Sequence, residues 1–163
     1  MRPVSFAFAA ALVLPAPAQT VGDVGLTMGG GILPVIYGQR CGAFTCQPFL
    51  AGSVGPAQPY DVTVFGAPQQ VCALAAGRPS AVPCLGYQGL ANMLVLTNQP
   101  ITLAIGVTGT GNPIGVCNQG RAVYWLQLPG GTPSGVAFLL QAVAMSAGQG
   151  VPAFTIALRT TTM

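Results

Sequence analysis

The 163-residue chain contains no histidine, no lysine and no glutamate, and only two of its side chains are carboxylates, Asp23 and Asp61. General acid–base catalysis draws on His, Glu, Asp, Lys, Tyr or Cys held within hydrogen-bond reach of a substrate, so most of that repertoire is missing. A serine or cysteine nucleophile would have neither histidine nor lysine as its base. Lysine is also absent from the basic groups, and Arg40, Arg78, Arg121 and Arg159 are too dispersed to form a stripe. Nucleic-acid binding by counterion release is therefore excluded. Behind residue 18 no apolar run reaches the ~18 residues of a membrane span, and no Asn-X-Ser/Thr acceptor occurs. Nothing in the composition calls for a cofactor or a metal, and an enzyme is not expected.

What is present begins with a leader. Residues 1–18 read as a secretory signal: Arg2 forms a positive n-region, Val4 to Leu14 an apolar core, and Ala16-Pro17-Ala18 a small-residue cleavage site before Gln19. A retained N-terminal anchor is the competing reading. Residues 19–36, with Gly29-Gly30-Gly31, read as an N-terminal extension or first edge strand, and 37–163 as one domain. A chain of this length buries roughly 68–70% of its unfolded surface. Hydrophobic residues make up 52% of it, which excludes disorder despite the sparse charge. Gln, Thr, Asn, Ser and Gly must then supply the surface, and such a surface resists self-association poorly.

Gly and Pro punctuate short apolar runs throughout, the pattern of an all-β domain. Alternation sets Tyr60, Val62 and Val64 on one face of a strand, and Ile101, Leu103, Ile105 and Val107 on one face of another. Phe154, Ile156 and Leu158 are expected inward, with Thr155 and Arg159 outward. Met93 to Leu96 and Ala122 to Leu128 are further candidates. Val136 to Met145 reads as a strand covered on both sides, with a helix as the competing reading. The sum is an antiparallel two-sheet β-sandwich, immunoglobulin-like or jelly-roll-like, of about seven to nine short strands.

The cysteines are Cys41, Cys46, Cys72, Cys84 and Cys117, and export makes disulfides the expectation. A hairpin turning at Gly77-Arg78-Pro79 would set Cys72 opposite Cys84, the best candidate pair. Closing that loop is worth about 3 kcal/mol by chain entropy. Cys41 and Cys46 then pair and leave Cys117 free, or Cys117 takes one of them. A four-cysteine zinc site is the alternative.

Three places remain for chemistry or binding. Asp23 reads as a turn residue and Asp61 as a solvated strand residue; an Asp-dependent hydrolase would need the extension to fold across the domain and bring them together. Gly109, Gly111 and Gly115 imitate a phosphate loop, but Pro113 removes a backbone donor, so a hairpin loop is expected. Tyr124 and Trp125, with Tyr87, are the candidates for stacking on a ligand, the alternative for Trp125 being a core position between sheets.

The order of short motifs from Tyr37 onward resembles a family of uncharacterised secreted β-sandwich domains abundant in planctomycete-type bacteria. The residues that carry it are Tyr37-Gly38 before Cys41, the strand Tyr60 to Pro68 ending in Gly66-Ala67-Pro68, Leu74 to Gly77, and Leu85-Gly86 with Gly89 before Met93 to Leu96. Leu128-Pro129, Gly135 to Leu140, Gln141-Ala142 and Ala153 to Thr160 complete it. The chain departs from that family at Gly89-Leu90 and Ala153-Phe154. The resemblance implies a sandwich and export, and implies no activity. The expected function is a non-enzymatic, secreted or surface-bound structural or adhesive module, with cell-envelope components, matrix or its own copies as partners. A carbohydrate-binding module using its aromatics is the alternative.

Overall fold

The computed structural model describes residues 21–30, 35–79, 84–96, 98–111 and 119–163. The proposed leader, Cys117 and most of the glycine loop after Gly111 lie outside these residues. In chain order the strands are β1 (Gly25–Gly30), β2 (Tyr37–Gln39), β3 (Phe49–Val54), β4 (Pro59–Gly66), β5 (Val71–Arg78), β6 (Leu85–Gly86), β7 (Met93–Leu94), β8 (Asn98–Val107), β9 (Gly120–Gln127), β10 (Ala137–Met145), β11 (Pro152–Phe154) and β12 (Leu158–Thr162). The described residues are thus all-β. Their twelve strands exceed the expected number because the two-residue β6 and β7 form a small sheet of their own, the three-residue β2 adds to a main sheet, and the C-terminal strand divides in two.

One sheet has the order β2-β1-β4-β9 and is antiparallel throughout. The second has the order β3-β12-β10-β5-β8, with β11 beside β12 on the same flank of β10. It is mixed rather than antiparallel, since β3 runs parallel to β12. The strand expected for 136–145 forms as β10. Both sheets turn their inward residues into one cluster: Leu26, Met28, Tyr60, Val62 and Val64 from the first, Cys72, Leu74, Leu140, Ala142 and Leu158 from the second. The alternation read for Tyr60, Val62 and Val64 therefore marks the core face of β4.

Residues 25–30 are neither an extension nor an edge. β1 lies between β2 and β4, with Leu26 fully buried. The residues before it are fastened by polar side chains. Asn92 accepts from the Val21 amide (2.9 Å) and donates to the carbonyls of Val21 (3.1 Å) and Phe154 (2.7 Å). Asp23 accepts from Ser146 Oγ at 2.9 Å and from the Gly148 amide at 2.6 Å.

The outer side of the second sheet is covered in part by residues 84–96. Gln141, 1% exposed, projects outward from β10 into this cover. Its Oε1 accepts from the amides of Val95 (2.8 Å) and Leu96 (3.3 Å), and its Nε2 donates to the carbonyls of Met93 (3.0 Å) and Thr155 (2.8 Å). Both donors and both lone pairs of the amide are used. Val95 and Leu96 pack there with Leu139 and Ala157. Thr155, expected outward and wet, is buried: its Oγ1 accepts from the Ala142 amide at 3.0 Å and donates to the Ile156 carbonyl at 2.9 Å. This side-chain substitution in the ladder is what divides β11 from β12.

The disulfide is not the expected one. Cys84 bonds to Cys46, and Cys72 is a free, buried thiol. No hairpin turns at Gly77-Arg78-Pro79, because β5 pairs with β8 and β10 instead, Arg78 lying opposite Asn98. Cys72 faces the core at 1% exposure, whereas Cys84 sits in the cover on the other side of the sheet. Met93 Sδ rests 3.1 Å from Cys84 Sγ and 3.7 Å from Cys46 Sγ. Cys41 is also disulfide-bonded. With three cysteines oxidised, the zinc alternative lapses.

Candidate binding surface

Tyr124 and Trp125 are consecutive residues of β9, so the pleat sends them to opposite faces. Tyr124 turns inward, where its Oη lies 3.2 Å from Cys72 Sγ. Room for the ring comes from Gly106 of β8, where a Cβ would stand 2.7 Å from that oxygen. Burial, and then the bond to Cys72, push the Tyr124 phenol well above its ordinary range. Burial likewise raises the Cys72 thiol, offset in part by the Tyr124 hydrogen bond. Both groups stay protonated at neutral pH, and Tyr124 is not a ligand platform.

Trp125 turns outward and is 72% exposed. The core position considered for it is thereby overturned: a strand can bury only one of two consecutive residues against one core, and here it buries Tyr124. The cross-strand partner of Trp125 is Asp61 of β4. Beyond Asp61 in the same row is Gly29 of β1, where a Cβ would meet Asp61 Oδ1 at 2.7 Å. The glycine leaves the half-buried carboxylate space to lie along the sheet. The next row holds Val123, Thr63 and Thr27, and the one after it Arg121, Phe65 and Gly25. Arg40 stacks over Phe65, its guanidinium carbon 5.9 Å from the ring centre.

Tyr87 lies elsewhere, in the cover over the second sheet, half-exposed and tilted against Phe154 with ring centres 6.1 Å apart. The three aromatics do not form one platform. Nor are the two aspartates brought together. Asp61 lies opposite Gly29 of β1, and Asp23 precedes the first residue of that strand, Gly25; the strand from Gly25 to Gly29 alone spans roughly 13 Å. A pair of glycosidase carboxylates needs about 5–9.5 Å.

A second outward surface is apolar. Val71, Ile101, Leu103, Ile105 and Val107 are all exposed. Ile105 and Val107 face outward with Val71, the cross-strand partner of Val107. Leu103 is an extra residue in the register between β5 and β8, so Ile101 falls out of phase with the other two. The single face expected for all four is broken by this bulge.

Among the described residues no three His, Cys, Asp or Glu side chains gather as a metal site. No helix there is long and apolar enough to cross a membrane. Comparison with family models, curated proteins and solved structures finds no match to this chain.

Proposed function

We propose that the chain is an exported, non-catalytic β-sandwich that works by adhesion. The observation carrying this reading is the set of large apolar side chains held in water on the outer sides of both main sheets, Trp125 on one and Val71, Ile105 and Val107 on the other. Contiguous exposed apolar surface marks interaction sites. The sandwich is supported by the shared inward cluster of the two sheets, and export by the leader and the oxidised cysteines. The resemblance to secreted domains of planctomycete-type bacteria points the same way. Partners of this surface are cell-envelope or matrix components, met with few charges on the protein's side.

The mature chain, incubated with insoluble peptidoglycan, cellulose and chitin, is expected to be retained on at least one. Retention should change little between about 0.05 and 0.5 M salt, because screening acts on charges and this surface carries few. No retention on any of them, or retention abolished by salt, would sink the adhesive reading.

Carbohydrate binding is the second reading, favoured by an exposed indole placed beside a carboxylate. The indole face offers stacking to a sugar ring, and Asp61 offers acceptors to its hydroxyls. Trp125→Ala should lose at least tenfold in glycan retention with unchanged circular dichroism. Equal retention by the variant and the wild type would exclude it.

A further inference from the structure

The edges of the two sheets are protected unequally. β2 is three residues long and lies against β3, with Tyr37 Oη packed where Gly52 has no Cβ. β9 carries Arg121, and its carbonyl accepts from the Gly109 amide at 2.9 Å. Among the described residues β8 is the longest strand, at ten residues, and its sheet partner is β5 alone. Sheet edges are ordinarily blunted by shortness, charge, proline or bulges. β8 has such devices only in its first half, which contains Pro100 and both register irregularities. From Ala104 to Val107 it pairs regularly with Val71 to Leu74, and residues 98–109 carry no charge. Alternate backbone N–H and C=O groups of an edge strand point away from its partner. In this half they are flanked by Ile105 and Val107, which are 70% and 60% exposed.

We infer that β8 pairs antiparallel with β8 of a second copy across a two-fold axis, joining the two larger sheets into one. The inference rests on the adhesive reading for its use and names one partner of it, the chain itself. The same strand meeting its own copy is an isologous contact, which closes at a dimer. No charge repels there, and backbone hydrogen bonds set the register, as in strand addition. Val71, Ile105 and Val107 put one apolar face beside that edge. Pairing covers the backbone edge and the flanks of these side chains while their outer faces stay in water, an area below the roughly 1,000 Å² of a specific interface. The dimer is accordingly weak and concentration-dependent.

Sedimentation velocity of the full mature chain, from about 1 to 500 µM, tests this at affinities expected for the smallest interfaces. The expected result is a rise from one to two chain masses, with concentration-dependent protection of the amides of 104–107 in hydrogen exchange. Ile105→Arg and Val107→Lys should each hold the protein at one mass, while Trp125→Arg should still dimerise. A monomer at every concentration overturns the inference, as does a dimer that survives both β8 variants or is lost in Trp125→Arg. A strictly monomeric wild type still retained on polymers would overturn this inference alone. A dimer without retention would overturn the adhesion to polymers and leave the β8 pairing standing.

Discussion

The outer side of the larger sheet shows two treatments of one surface. At β10 it is covered by residues 84–96, held by Gln141 and the Cys46–Cys84 disulfide. At β8, two strands away, Ile105 and Val107 stand in water. Apolar content does not distinguish the two places, for both are rich in Leu, Ile, Val and Ala. The difference is the presence of a polar latch. A cover segment brings its own backbone N–H and C=O groups, which need partners once buried. Gln141 supplies them at β10, whereas residues 100–107 of β8 contain no side-chain amide to receive a crossing chain. A sheet face can be covered only where the covering backbone finds its hydrogen bonds.

The largest expected loss comes from removing that latch. Gln141→Leu keeps the volume but strips partners from two amides and two carbonyls, and should cost about 4 kcal/mol in urea unfolding. A loss under about 1 kcal/mol would show that the cover stands without its latch. Next is the disulfide, which joins residues 38 apart. Cys46→Ala with Cys84→Ala should lose about 3–4 kcal/mol in the chain-entropy account, with faster hydrogen exchange concentrated in residues 84–96. Uniform loss of protection across both sheets would break the comparison.

A smaller effect is set by pH. Burial raises the folded-state ionisation points of Cys72, Tyr124 and Tyr60 above ordinary values of 9.0, 10.0 and 10.0. Above those values the unfolded chain releases protons that the folded chain retains, so stability falls as pH rises. Without histidine, the melting temperature should be nearly flat from pH 6 to 8 and fall from about pH 9 upward. Tyr124→Phe should shallow that fall; an equally steep fall in the variant would remove Tyr124 from the account. The smallest effect belongs to the bare side: Ile105→Thr should stay within about 0.5 kcal/mol of wild type by urea unfolding. A loss above about 2 kcal/mol would mean that Ile105 is packed, not exposed.

The elements differ in how far they could be read from the chain. β4 and β10 were legible because their apolar patterns are long and end at glycines. The integration of residues 21–30 was not, since it depends on Asn92 and on Ser146 and Gly148, more than 70 residues away. Gln141 stood out in sequence only as a polar interruption of an apolar run. Its role depends on four groups from two distant segments. The Cys72–Cys84 pairing failed for a related reason: a plausible local turn carries no information about which strand β5 prefers as its neighbour.

By itself the sequence determined the β class, the shared faces of β4, and the poverty of acid–base groups, all consequences of residue type and period. The tertiary structure alone decided which face of each strand is covered. Period two says that Tyr124 and Trp125 part company, or that Ile105 and Val107 keep together, and nothing about which side meets the core. That choice depends on neighbours brought from far along the chain, and here it places the indole and the β8 strip in water.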